Sequence, residues 1–225
     1  MKKYVLISIM TLLVLTTSCL RKGTDTIALP LGKIPEEIIP HEINEKFKMH
    51  MPINEGITPP NIVGEYVSEP NTLVYSSDND FEVGYTFAPS YFKFSNQGAN
   101  GMATYIESNG NSTSEAPEVY VIGNGNNFTA YFLRNSNHYD NYGNVEAWSK
   151  VSQMASGTIT NSGIANYRYA FIMIDKYDPN DILMDINEFR VIEDDDGIAS
   201  KYYWTKSESK SIDSISTLSK CITSK

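Results

Sequence analysis

Thiols, imidazoles and positive charge are all scarce in this chain. Its 225 residues include two cysteines and three histidines. Two cysteines cannot build a disulfide scaffold or a four-thiolate zinc site. His41 and His50 lack the i,i+4 spacing of a helix-borne zinc pair. A Ser-His-Asp or Cys-His centre in the body of the chain would have to rest on His138 alone. Lys and Arg number 18 against 27 Asp and Glu, a formal charge of −9. That balance argues against nucleic-acid binding, which needs a basic face for phosphates. There is no glycine-rich phosphate loop of standard spacing. Nor is there a long hydrophobic run: Tyr4–Leu15 falls short of the ~20 residues that cross a bilayer. The expectation is therefore no nucleic-acid partner, no metal, no cofactor and no enzymatic activity.

What the N-terminus does have is an address. Met1-Lys2-Lys3 is basic, Tyr4–Leu15 is mainly apolar, and Thr16-Thr17-Ser18 are small. A basic start, a short apolar core and small residues make a secretory signal peptide, here residues 1–18. Cys19 follows at once, and the junction resembles a bacterial lipobox, with Thr16 where that pattern has Leu. The resemblance implies a lipidated Cys19 that anchors the mature chain to a membrane of the cell envelope. Removal of Lys2 and Lys3 leaves the mature chain more acidic still, so its surface does not seek anionic headgroups. Cys221 is then the remaining thiol, expected to be free rather than in an intermolecular pair.

Proline shapes the next stretch. Residues 19–60 hold six of the ten prolines. Proline fixes φ and removes a donor, which excludes a long helix or a central strand. The stretch reads as a tether, with one short helix over Glu42–Lys48 that docks through Ile43 and Phe47 at i,i+4. A fragment starting near Glu45 is expected to fold as well as the whole mature chain.

From residue 61 to 205 short apolar or alternating runs are separated by Gly, Asn, Asp and Ser clusters. The clearest alternation is Phe81, Val83, Tyr85 and Phe87 against Glu82, Gly84, Thr86 and Ala88; Phe128, Ala130 and Phe132 repeat it. A further strand is expected over Ile182–Ile192. Many short strands with close turns and no crossovers give an all-β, antiparallel fold. An up-and-down barrel is favoured over a β-sandwich, the alternative. Residues 206–225 are a Ser/Lys-rich tail or a short C-terminal helix, since Ile212, Ile215, Leu218 and Ile222 line up on one helical stripe.

Several stretches together carry a resemblance: MPINEGITPPNIVGEYV (51–67), LVYSSDNDFEVGYTFA (73–88), GNGNNFTAYF (123–132), ASGTITNSGIANYRYAFIMIDK (155–176) and FRVIEDDDGIA (189–199). They resemble a group of uncharacterised exported lipoproteins of Bacteroides-type gut bacteria. Ile62-x-Gly64-x-Tyr66 is similar to the Gly-x-Trp opening of lipocalins. The resemblance implies an anchored, calycin- or lipocalin-like barrel and no particular activity. In such bacteria Asp-Ser/Thr followed by a small or apolar residue is O-glycosylated. Asp25-Thr26-Ile27 and Asp213-Ser214-Ile215 fit, making Thr26 and Ser214 candidate acceptors.

Two constellations stand out in the body. Acids cluster in two turns, Asp175–Asp181 and Glu193–Asp196, where turn chemistry competes with a calcium reading. Arg134–Gly143 reads as a loop in which Asn137, Tyr139, Asp140 and Tyr142, with Trp148 beyond it, offer the aromatic faces and hydrogen-bonding groups that sugars use. Function divides accordingly. One reading is a lipid-anchored envelope protein, facing the periplasm or the surface from the outer membrane, that binds a small apolar or glycan ligand. The alternative is a scaffold that docks on another envelope protein. A barrel packed solid with Phe81, Phe87, Phe128, Phe132 and Phe171 would leave no room for the first.

The anchor is directly testable. Metabolic labelling with a fatty-acid analogue is expected to label the wild type and Cys221→Ala but not Cys19→Ala. Label on Cys19→Ala would end the lipoprotein reading.

Overall fold

The computed structural model describes residues 33–203. The signal peptide expected over residues 1–18, Cys19, Thr26, Ser214, Cys221 and the stretch 206–225 lie outside them. In chain order the elements are α1 (His41–Lys48), β1 (Ile57–Thr58), β2 (Gly64–Ser68), β3 (Asn71–Ser76), β4 (Thr86–Phe87), β5 (Ser90–Ser95) and β6 (Met102–Asn109). They continue with β7 (Ser112–Asn124), β8 (Asn127–Tyr139), β9 (Val145–Ile159), β10 (Gly163–Tyr177), β11 (Phe189–Asp194) and β12 (Ile198–Lys201). From β5 to β11 each strand pairs antiparallel with the next.

The sheet then closes on itself. β12 pairs with β10 on one side and with β2 on the other, and β2 pairs with β5. The result is a ring of eight strands, an up-and-down barrel rather than a sandwich. β3, β4 and β11 prolong the same ladders at one end, while the two-residue β1 pairs parallel with β7 at Gly123 and Asn124. Gly64 faces Phe94 and Thr72 faces Thr86, so β2 and β3 run in line against β5 and β4. β11 and β12 likewise lie in line along β10. Closure leaves no long edge open to a stranger chain.

Strand alternation decides what lies inside. Phe128, Ala130 and Phe132 on β8 face the interior, where they meet Phe92, Phe94, Tyr105 and Tyr167. Phe92 stacks on Tyr167 at 4.9 Å and Tyr105 sits 4.8 Å from Phe132, ring to ring. These rings are essentially inaccessible and fill one half of the barrel. At the filled end Tyr66 folds back over Gly64, its hydroxyl donating to the Ile62 carbonyl. A Cβ at Gly64 would meet that phenol oxygen at 2.5 Å, so the Gly-x-Tyr pair is a packing unit.

Alternate residues of the same strands face outward, and the N-terminal stretch covers them. Ile38, Ile39, Ile43, Phe47 and Met51 pack on Ile122, Tyr131, Met154, Ala170, Ile172, Phe189 and Val191 as a second core. Helix α1 docks through Ile43 and Phe47 as its spacing implied. Polar groups seat the stretch as well. Ser152 Oγ donates to the Ile38 carbonyl at 2.6 Å, and the Asn54 amide N–H donates to Thr129 Oγ1 at 2.7 Å. From residue 33 onward, then, the stretch expected to be a tether is part of the packed body. The prolines break helix and strand without preventing burial.

Two expected strands are loops in their first parts and strand only at their ends. Phe81–Tyr85 forms a turn in which Gly84 adopts φ 93°, and Val83 points to solvent. The strand expected from Ile182 begins only at Phe189. Before it, Asp178 accepts the backbone N–H groups of Ile182 and Leu183 and the Lys176 ammonium, holding the segment as a turn. Conversely, the stretch from Arg134 expected to be a loop is strand as far as Tyr139.

The second core makes a quantitative claim. A fragment starting at Glu45 loses Ile38, Ile39 and Ile43, each worth ~1.5–3 kcal/mol when buried. Its melting temperature is expected to fall by more than about 10 °C relative to the mature chain. Equal melting temperatures would return the stretch to the role of a tether.

Candidate functional site

The other half of the barrel is not filled. A cavity of about 450 Å³ opens at the end that carries the Asn109–Ser112 turn and the loops before β4 and β11. None of the rings of the aromatic plug described above lines it; the inward side chains Glu107, Arg134 and Tyr169, which follow the plug residues along β6, β8 and β10, do. One side is largely apolar: Phe87 of β4, Phe171 and Met173 of β10 and Ile192 of β11. Phe81, Leu183 and Met184 reach it from the two loops. Phe81, Tyr85 and Phe87 form a three-ring cluster with centroids 4.4–5.2 Å apart. Phe128 and Phe132 thus belong to the plug, while Phe81, Phe87 and Phe171 line the cup.

The opposite wall, from β6 to β9, carries polar groups. Glu107, Arg134, His138 and Ser149 all line the cavity. Glu107 follows Ala103 and Tyr105 on the inward face of β6, and Arg134 follows Phe132 on that of β8. The two form an ion pair in the wall, with Glu107 4% exposed. Ser90 Oγ also donates to the Glu107 carboxylate, and the Arg134 guanidinium lies 5.5 Å over the Phe171 ring. Burial works against the Arg134 charge, yet Glu107 holds its pKa above the ordinary value. His138 Nε2 bonds Ser149 Oγ at 3.1 Å. Burial, reinforced by the Arg134 charge, lowers the His138 pKa, so its imidazole is neutral at pH 7. Burial also raises the Tyr169 phenol, which stays protonated.

The rim is fastened by a third basic contact. Arg190 Nε donates to Asp78 at 2.9 Å, and its Nη2 bonds Asp80 at 2.9 Å. Its guanidinium also lies 5.0 Å from the Phe81 ring centroid. Strand β11 thereby holds the loop before β4 across the cup. Met184 of the other loop is buried against Val151 and Met173. Beside the cup, between the same loops, a second depression of about 530 Å³ is lined by Asp78, Asp80, Asp181, Asp185 and Glu188.

Of the candidate residues from the sequence, one lines the cup. Tyr139 is there, its hydroxyl 3.1 Å from Thr113 Oγ1. Asn137 and Trp148 are register partners, but Trp148 alternates with the buried Ala147 and Ser149 and so faces outward with Asn137. Asp140 spends its carboxylate on its own turn, accepting from the N–H groups of Tyr142 and Asn144 and from the Asn144 amide. Tyr142 is 91% exposed at that turn. Glu107 and Arg190 went unnoticed, although Glu107 carried a signal: a charged residue continuing an inward apolar alternation. Among the described residues no group of three or more His, Cys, Asp or Glu could hold a metal ion. No protein-family model, curated protein or solved structure matches the chain.

The buried pair sets an expectation for stability. Glu107→Ala leaves the Arg134 charge buried without its partner and is expected to cost ~3–5 kcal/mol in denaturant unfolding. Glu107→Ala with Arg134→Met removes both charges and is expected to recover at least half of that loss. Additive losses would mean that the two side chains do not act as a pair.

Proposed function

We propose that the chain is an exported, lipid-anchored envelope protein that binds a small molecule in the open half of its barrel. The observation that carries this reading is the cup itself. Eight-stranded barrels of this kind fill with side chains or hold one small ligand. Here one half is filled and the other holds an open cavity of about 450 Å³, within the ~300–1,000 Å³ range of small-molecule sites. The combination of apolar side, polar wall and two covering loops suits a ligand with an apolar body and a hydrogen-bonding edge. A glycan ring and a hydroxylated apolar compound both answer that description. Cys19 supplies the anchor under this reading, and the acidic body keeps clear of anionic headgroups. A pure scaffold has no need of room inside the barrel.

A polarity-sensitive fluorophore tests the cup. N-phenyl-1-naphthylamine is expected to bind the mature chain with enhanced emission. Ser149→Trp, which places an indole in the cavity, is expected to weaken binding at least about tenfold while the protein stays folded, since overpacking costs only ~1–3 kcal/mol. Equal binding by the folded variant would place the probe outside the cup and overturn the reading.

A further inference from the structure

The charges around the cup are matched in an unequal way. Two cations border it, Arg134 and Arg190. Arg134 is engaged by Glu107, and Arg190 by both Asp78 and Asp80. Glu146 also lines the cavity. A carboxylate, sulfate or phosphate entering the cup therefore meets no cation that a carboxylate does not already hold. The depression beside the cup brings five carboxylates, Asp78, Asp80, Asp181, Asp185 and Glu188, around the same Arg190. Taking an anion out of water into such a place costs desolvation with no compensating partner. The other groups on the polar wall, Ser149, His138 and Tyr139, offer hydrogen bonds to an uncharged edge.

We infer that the cup selects uncharged ligands and that Glu107, by cancelling Arg134, is the residue that sets this selectivity. This rests on the proposed binding function. Glu107 holds the Arg134 guanidinium in the wall and occupies it, so that the pair presents hydrogen-bonding capacity without net charge. Ser90 fixes the carboxylate from behind. With Glu107 neutral, Arg134 becomes a buried cation inside an apolar-sided cup, the arrangement that captures an anion.

A matched pair of probes separates the possibilities. N-phenyl-1-naphthylamine and 8-anilinonaphthalene-1-sulfonate share their ring system and differ by a sulfonate. Both are titrated into the mature chain carrying Cys19→Ala, and only binding lost in Ser149→Trp is counted as cup binding. The uncharged probe is expected to bind at least about tenfold tighter than the sulfonate, a modest consequence of one unpaired charge in a partly dry site. Glu107→Gln is expected to raise sulfonate affinity at least about tenfold, and Glu107→Gln with Arg134→Gln to restore the preference for the uncharged probe. Asp80→Asn, at a 57% exposed side chain, perturbs the fold least and is expected to raise sulfonate affinity several-fold by loosening the hold on Arg190. Sulfonate binding as tight as that of the uncharged probe in the starting protein would overturn the selectivity and leave the binding function standing. So would no gain of sulfonate affinity in both Glu107→Gln and Asp80→Asn. No cup binding of either probe would overturn the binding function and the selectivity with it.

Discussion

Closure of the ring is the constraint on which the structure depends. Once β12 is hydrogen-bonded to both β10 and β2, every strand has an inner and an outer face, and alternation assigns each residue to one of them. A one-residue slip would turn Phe128 and Phe132 out and Tyr131 in, so the inner and outer cores hold the register jointly. The interior volume is fixed by strand number and tilt, and the side chains present either fill it or leave it open. Large aromatic rings meet in one half. Toward the other end the inward position of β9 passes to Ser149, which lines the cavity.

The two cores share walls. Met154 on β9 and Ala170 on β10 touch the N-terminal stretch, while their chain neighbours Ala155 and Tyr169 belong to the interior. The stretch before β1 therefore buttresses the barrel wall from outside. It also reaches the rim, since His50 stacks on Tyr75 at 3.8 Å and Tyr75 on Phe189 at 4.9 Å. Strand β11, which carries Arg190 into the rim, is thus held from both faces.

Much of this was legible in the sequence. Period-two alternation at Phe128–Phe132, the turn clusters and the absence of crossovers gave the antiparallel barrel. Ile43 and Phe47 gave the docking face of α1. The failures share a physical cause. Phe81–Phe87 alternates like a strand, but Gly84 and the Asp78-Asn79-Asp80 turn bend Phe81–Tyr85 into a loop and leave only Thr86 and Phe87 as strand. The proline-rich stretch looked unpacked because proline prevents regular structure, whereas apolar residues between prolines still find a surface to cover. Asn137, Asp140 and Trp148 looked like a sugar site by composition alone. The direction of Asn137 and Trp148 depended on the register of β8 against β9, which no local pattern reveals, and Asp140 is held by its own turn. Glu107 and Arg134 were readable as charges on apolar faces, but their pairing needed β6 and β8 to be set on either side of β7 in one wall.

The proposed function places the chemistry in a half-filled barrel: an apolar side, a polar wall with its charges cancelled, and two loops tied across the mouth. Native mass spectrometry of the full-length protein purified from the cells that make it tests this most directly. The account predicts a bound, uncharged small molecule of a few hundred daltons on the wild type, and its loss from folded Ser149→Trp. A wild-type protein that carries nothing under conditions that preserve non-covalent complexes, or an adduct that persists on Ser149→Trp, would contradict it.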